Sequence, residues 1–116
     1  MARPTIFQNP LYELIRSEQI DEFNKLKAAG ESSEGLLSGG DFRGLDLRNL
    51  DADGLDLRDA YFRSADLRGI DFRKTNIEGA SFCQAQISGC YFPKEVRAEE
   101  IRLSFDFGIR IRYQKA

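Results

Sequence analysis

Apolar side chains recur every five residues through the middle of the chain. From Gly40 to Lys94 the sequence divides, without an insertion, into eleven units of five residues. The first residue of each unit is small or apolar, and the third is always apolar. The third residues are Phe42, Leu47, Ala52, Leu57, Phe62, Leu67, Phe72, Ile77, Phe82, Ile87 and Phe92. A period of five fits neither a straight strand nor an α-helix, so another regular fold is required.

The spacing within a unit indicates how the chain runs. The two inward positions lie two residues apart, as in a strand, so each unit is extended for a few residues and then turns. Four turns in one sense close a square coil, so that every fourth unit stacks on the one before. The sequence supports this stacking, because the residues that would stack on one another have similar side chains. The columns are Phe42/Phe62/Phe82, Leu47/Leu67/Ile87 and Leu57/Ile77. Matched columns are what a solenoid requires, since each layer packs only against its neighbours.

These units resemble the pentapeptide-repeat family, whose motif is roughly A(D/N)LXX. ADLRG at 65–69 matches the motif, as does NIEG with its preceding Thr75, and the resemblance extends from Gly40 to Lys94. It implies an all-β solenoid, a right-handed quadrilateral β-helix of about three coils. Two sets of residues depart from the motif. Leucine replaces the small residue at Leu45, Leu50 and Leu55, and Tyr61, Ser81, Gln86 and Tyr91 replace Asp or Asn.

The repeat divides the chain into three parts: 1–35, 36–94 and 95–116. The first part is expected to form an N-terminal helical cap and a linker. Asn9 and Pro10 are typical of a helix start, Ser17 is the expected cap of a second helix, and Gly30 is expected to end that helix.

The last part is expected to form a short helix, to about residue 106, followed by an extended tail. Apolar residues alternate with polar ones through this tail, which is typical of extended chain. Two interpretations remain: a cap over the last coil, or a homodimer contact. The cap is the preferred interpretation, and the family resemblance adds weight to the second, because several members dimerise through their C-terminal ends. The residues concerned are Ile101, Phe105, Phe107, Ile109, Ile111 and Tyr113.

The outward positions carry Asp and, two residues later, Arg. Local ion pairs are expected at Asp41/Arg43, Asp46/Arg48, Asp56/Arg58, Asp66/Arg68 and Asp71/Arg73. Exposed pairs contribute about 0–1 kcal/mol each, so one interpretation is a self-neutralised face. The other is a ladder of arginines, Arg43/Arg63 and Arg48/Arg68, that binds an acidic partner or a phosphate. Tyr61 replaces Asp beside Arg63, so Arg43 and Arg63 are expected to be less neutralised.

The composition argues against several classes of function. The 17 basic and 19 acidic side chains give a net charge of −2, which argues against general binding to nucleic acid or anionic membranes. The chain has no histidine, and its two cysteines, Cys83 at an outward and Cys90 at an inward position, lack zinc-site spacing. No cofactor, metal or catalytic residue is predicted. With no signal peptide and no membrane-length apolar run, a cytoplasmic protein is expected.

Two functions follow from these observations. The preferred one is a non-enzymatic scaffold that binds an unidentified protein partner. The alternative, suggested by gyrase-protecting members of the family, is an inhibitor or protector of a nucleic-acid enzyme by DNA mimicry. The short repeat and its near-neutral charge disfavour that alternative, because a mimic needs a long, strongly negative rod.

Overall fold

The computed structural model describes residues 10–31 and 37–114. In this part of the chain three helices form: α1 (Pro10–Arg16), α2 (Ile20–Ala28) and α3 (Ala98–Phe107). Two of them precede the repeats and one follows, as the sequence predicts. None of the three is long and apolar enough to cross a membrane.

The junction of α1 and α2 differs from the prediction. Helix α1 begins at Pro10 as expected, whereas Asn9 lies outside the described residues. The prediction that Ser17 caps α2 is wrong, because Gln19 is the residue that precedes this helix. The Ser17 hydroxyl instead donates to the Glu13 carbonyl at 2.7 Å, at the end of α1. Gly30 follows the end of α2 with a φ of 99°, as predicted for a helix terminus.

The repeats stack with the spacing that the matched columns predict. Parallel β-bridges join Asp41 to Tyr61, Asp46 to Asp66, Asp56 to Asn76, Tyr61 to Ser81, Asp66 to Gln86 and Asp71 to Tyr91. Each is an isolated bridge, and residues 10–31 and 37–114 contain no longer strand. Each residue is therefore paired with the residue at the same position four units later in the chain.

Hydrogen bonds between successive layers follow one rule. The central residue of a unit donates to a carbonyl of the next layer, as Phe42 N–H does to Tyr61 at 2.9 Å. The Tyr61 N–H donates back to the Gly40 carbonyl at 2.9 Å. Between these extended residues the chain turns with positive φ, for example 72° at Gly44 and 74° at Asn49. Glycine and asparagine suit such corners because they tolerate the left-handed region.

A column of aromatic rings fills the core. Phe62 lies between Phe42 and Phe82, with ring centroids 5.5 and 5.1 Å away. Tyr12 of α1 extends the column by an edge-on contact with Phe42 at 5.5 Å. All four side chains are essentially buried. Phe72 and Phe92 stack as a second pair at 6.0 Å.

The first coil receives acceptors from the N-terminal helices. Among the described residues no repeat unit precedes the three units that begin at positions 40, 45 and 50, so the N–H groups of Asp41, Asp46 and Asp51 need other partners. The Asp41 N–H donates to the Tyr12 hydroxyl at 2.9 Å. The Asp46 N–H donates to the Glu18 carboxylate, and the Asp51 N–H to Asn24 Oδ1 at 2.9 Å. Residues of α1 and α2, and of the turn between them, thus satisfy three sides of the coil.

The C-terminal segment lies over the last coil. Helix α3 ends before Gly108, which adopts φ 73°, close to the predicted end. Beyond it, Ile111 pairs in both directions: its carbonyl accepts from Gly79 at 2.7 Å, and its N–H donates to Ala80 at 2.9 Å. The tail therefore takes the place of a further repeat unit on this side of the coil.

Candidate interaction surface

All five predicted Asp–Arg pairs form, and they share one geometry. In the pair Asp66/Arg68, arginine Nε and Nη2 donate to the two carboxylate oxygens at 2.9 and 2.7 Å. The Arg68 backbone N–H also donates to Asp66 Oδ1, at 3.2 Å. The other four pairs are Asp41/Arg43, Asp46/Arg48, Asp56/Arg58 and Asp71/Arg73. The local backbone, repeated every unit, therefore fixes each guanidinium in a bidentate pair.

These pairs hold the carboxyl groups in the charged form. Hydrogen bonds from Arg48 and Arg73 are the main cause that lowers the pKa of Asp46 and Asp71 to about 2. Successive layers are also linked, since Arg48 Nε lies 3.4 Å from Asp66 Oδ2 in the next coil. The outward columns thus form a neutralised lattice of alternating charge.

Arg43 is neutralised like its neighbours, so the expectation that it carries excess charge is wrong. Its Nε lies 2.8 Å from Asp41 Oδ1. Arg16 of α1 also approaches Asp41, with 3.6 Å between Nη1 and Oδ2. Together these contacts lower the pKa of Asp41, mainly through the hydrogen bond from Arg43.

Arg63 is the exception within the ladder. Among the described residues no carboxylate lies within ion-pair distance of it, because Tyr61 stands where the other units carry Asp. Its Nη1 lies 3.5 Å from Cys83 Sγ. Cys83 is buried, which corrects the expectation of an exposed thiol at an outward position. Arg63 is therefore an exposed cation beside a neutralised wall.

Tyr61 is engaged by the C-terminal tail. Arg110 Nη2 donates to the Tyr61 hydroxyl at 2.8 Å, and the guanidinium lies over the ring at 5.4 Å. The same guanidinium is 3.4 Å from Asp59 Oδ1. The tail thus fixes the tyrosine next to Arg63.

The four arginines among the predicted partner-binding residues fall in two clefts. Arg43 and Arg63 line a shallow cleft of about 420 Å³ with Asp41, Gly44 and Ser64. Arg48 and Arg68 line a cleft of about 780 Å³ between the coil and the start of α2. The acidic wall of this second cleft includes Glu18, Asp21 and Glu22. Tyr61 lines neither cleft.

The six predicted C-terminal residues divide into two groups. Ile111 is buried in the core, and Ile101 and Tyr113 are half-buried and pack against it. Phe105 is half-buried, whereas Phe107 and Ile109 face outward, with 74% and 41% of their surface exposed. Half of this set thus contacts the chain's own core.

Several structural residues escaped the sequence analysis. Tyr12 is fully buried on α1 beside Leu11 and Ile15, and it is not among the core residues predicted from the sequence. Ser104 is fully buried and its hydroxyl accepts from the Phe82 N–H at 2.8 Å. Glu100 is 8% exposed and binds Arg112 through Nη2 at 2.6 Å. No local pattern distinguishes this serine or this glutamate, since their partners lie far along the chain.

The described residues offer no cluster of three or more His, Cys, Asp or Glu side chains that could hold a metal ion. Burial raises the pKa of the Cys90 thiol, which donates to the Leu67 carbonyl at 2.9 Å. Such a thiol is a poor nucleophile.

Five-residue units, paired from one layer to the next and faced with self-neutralised Asp and Arg, define a tandem-repeat protein. The family model for pentapeptide repeats matches residues 41–79 and 56–92, with eight copies. The chain thus contains pentapeptide repeats over residues 41–92, as the sequence predicts. No curated protein and no solved structure matches it.

Proposed function

We propose that the repeats form a right-handed quadrilateral β-helix of about three coils, which serves as a non-enzymatic scaffold for binding a partner protein. The bridges, such as those from Asp41 to Tyr61 and from Tyr61 to Ser81, support a four-sided coil, because four units of five make one layer. Residues 36–94 form the scaffold in this proposal, and residues 95–116 form its C-terminal cap. A rigid surface suits recognition, because little order is lost on binding.

The observation that carries the proposal is the isolated charge of Arg63. The other arginines that follow a central residue each hold an aspartate in two hydrogen bonds, so their donors are largely used. Arg63 retains donors for a carboxylate of a partner. An arginine without an ion pair among arginines that each hold an aspartate gives specificity of position, since an acidic side chain placed at the other arginines would meet an aspartate.

The cap interpretation of the C-terminal segment agrees with its contacts. Tyr113 accepts from the Ile77 N–H at 2.9 Å and donates to the Thr75 carbonyl at 3.3 Å. Only two of the six apolar residues proposed for this segment, Phe107 and Ile109, stay exposed for a homodimer contact. We therefore place partner binding on the coil rather than on a dimer of this segment.

DNA mimicry receives no support from the surface. Duplex DNA carries a phosphate charge every ~1.7 Å along its axis, without compensation from the same surface. Here each aspartate of the five pairs is bound by its own arginine. The columns are therefore close to neutral along the coil axis.

The test compares wild-type protein with Arg63→Gln in a pull-down from host lysate. Bound proteins are identified by mass spectrometry. We expect a specific partner that is lost with Arg63→Gln, because the substitution removes the free guanidinium. The matched control is Arg58→Gln, since Arg58 occupies the same position in its unit but is bound by Asp56 at 2.8 Å.

Arg58→Gln should retain the partner. Both variants should melt close to wild type, because Arg63 and Arg58 are exposed. If no specific partner is captured, or if Arg63→Gln captures it as well as wild type does, binding through Arg63 is wrong.

A further inference from the structure

We propose that the last coil accepts an extended, apolar segment of a partner protein as an additional strand. The site is the edge formed by residues 85–89, here named the open edge. It lies at the C-terminal end of the stack, whereas Arg63 lies on a side wall, so the two sites are separate.

The open edge has backbone donors without acceptors. One layer earlier, the Leu67 N–H donates to the Gln86 carbonyl at 2.9 Å and the Gly69 N–H donates to Ser88 at 3.0 Å. The equivalent groups in the last coil belong to Ile87 and Gly89. Within residues 10–31 and 37–114, neither of these N–H groups has an acceptor.

The neighbouring sides of the same coil show what an occupied edge looks like. On one side the Phe82 N–H donates to the Ser104 hydroxyl, and the Gln84 N–H to the Phe105 carbonyl at 3.1 Å. On another side the Gly79 N–H donates to the tail at 2.7 Å. The C-terminal segment thus covers these two sides and leaves the open edge uncovered.

The open edge also presents an acceptor in strand register. In the inner layer the Ala65 carbonyl accepts from the Gln86 N–H at 2.8 Å. Its counterpart, the Ala85 carbonyl, accepts no hydrogen bond from the described residues. One carbonyl and two N–H groups, at positions 85, 87 and 89, are the pattern that a parallel strand pairs with. Strand addition uses such groups for affinity, and adjacent pockets give specificity.

An apolar groove adjoins these groups. It has a volume of about 700 Å³ between the end of the coil and α3. Ile87 and Phe92 line it from the coil, and Val96, Ile101 and Phe105 line it from the C-terminal segment. Because alternate side chains of a strand point to one face, a segment on the open edge would direct every second side chain to the groove.

Charge and size identify the kind of occupant. The two charged residues of the groove, Arg102 and Asp106, lie 3.7 Å apart and neutralise each other. Uncharged apolar side chains complement such a groove. Eight residues line it, whereas a stable interface between two folded proteins takes roughly 20–30 residues a side. The groove therefore fits one extended segment better than the face of a second copy.

The experiment selects binders from a phage-displayed library of random linear dodecapeptides on the full chain. The groove-filling variant is Ala98→Trp, because Ala98 lines the groove and is itself exposed. The matched control is Glu99→Trp, which adds the same side chain at an exposed neighbour outside the groove. Enriched peptides are then synthesised, and their dissociation constants are measured with all three proteins.

We expect enriched peptides with alternating apolar residues. They should bind Ala98→Trp at least about tenfold more weakly than wild type, and Glu99→Trp as wild type does. In ¹⁵N NMR spectra, the amide signals of Ile87 and Gly89 should shift on binding. The proposal is overturned if no peptide is enriched or if Ala98→Trp binds equally well. It is also overturned if wild type is a dimer that Ala98→Trp dissociates, since the groove would then hold a second copy.

Discussion

The two ends of the coil stack meet the same physical problem with different parts of the chain. Both ends expose backbone N–H groups that lack a neighbouring layer. At the N-terminal end the acceptors are side chains, namely those of Tyr12, Glu18 and Asn24. At the C-terminal end they include backbone carbonyls, since Phe105 and Ile111 accept from the last coil. Each end also uses a tyrosine hydroxyl as an acceptor.

The two ends differ in the number of repeat units whose backbone N–H groups receive acceptors. Three successive units, which begin at positions 40, 45 and 50, receive acceptors at the N-terminal end. Two units, 75–79 and 80–84, receive them at the other. Hence the N-terminal end is the more completely closed of the two, while the described residues at the C-terminal end leave the open edge without acceptors.

The largest expected effect lies midway between the two ends. Phe62→Ala removes the central ring of the column, where Phe62 is 1% exposed and contacts aromatic rings above and below. We expect a loss of roughly 3–5 kcal/mol in the free energy of unfolding, from lost burial and a cavity that neither cap can reach. Urea denaturation followed by circular dichroism measures it.

The control is Phe107→Ala, which removes the same ring from an exposed position. That variant should unfold within about 0.5 kcal/mol of wild type. If Phe62→Ala melted within a couple of degrees of wild type, the stacking of one layer on the next would not be what stabilises the core.

The five-residue repeat and the pairing of every fourth unit were predictable from the sequence, because the pattern is local and repeated. Side chains five positions apart occupy equivalent places in successive units, so the sequence alone indicates which residues stack in one column. The Asp–Arg pairs were predictable for the same reason, since Asp66 and Arg68 are two residues apart on one extended segment.

The contacts that close the two ends were not predictable, because each joins single residues that are distant in the sequence. Tyr12 meets Asp41 across 29 positions, and Arg110 meets Tyr61 across 49. The sequence predicted a shortage of negative charge beside both Arg43 and Arg63. The structure restricts it to Arg63, because Arg43 keeps its own aspartate.

A smaller loss of stability is expected when either of the two tyrosines that accept a backbone N–H at an end of the stack loses its hydroxyl. Tyr12→Phe and Tyr113→Phe each remove a hydroxyl that accepts a backbone N–H, from Asp41 and Ile77 respectively. Tyr12 is fully buried, so its loss leaves an unsatisfied group without access to water, at a cost of about 1–3 kcal/mol. Tyr113 is half-buried, and water can replace part of its hydrogen bonding.

We therefore expect Tyr12→Phe to lower the free energy of unfolding more than Tyr113→Phe does. Urea denaturation of both variants under one condition measures the difference. Equal losses would show that the N-terminal end is no better closed than the C-terminal end.

The smallest expected effect is a loss of stability at low pH, which begins at the C-terminal end. Hydrogen bonds from Arg112 and Arg43 are the main causes that lower the pKa of Glu100 from 4.5 and of Asp41 from 3.8. A carboxyl group with a lowered pKa stabilises the fold fully above its usual value, and that contribution is lost as pH falls through the folded value. The Glu100 contribution should therefore start to decline at a higher pH than that of Asp41.

Urea midpoints measured from pH 6 to pH 2 test this order. Wild type should lose stability progressively below about pH 4.5, and the loss should continue towards pH 2, where Asp46 and Asp71 titrate. Glu100→Gln should reduce the loss of stability at the high-pH end of this range. Asp41→Asn should reduce the loss over a range that begins at a lower pH. If both variants kept the wild-type pH dependence, neither ion pair would contribute to holding its end of the stack. If Asp41→Asn changed the upper part instead, the N-terminal end would be the first to yield to acid.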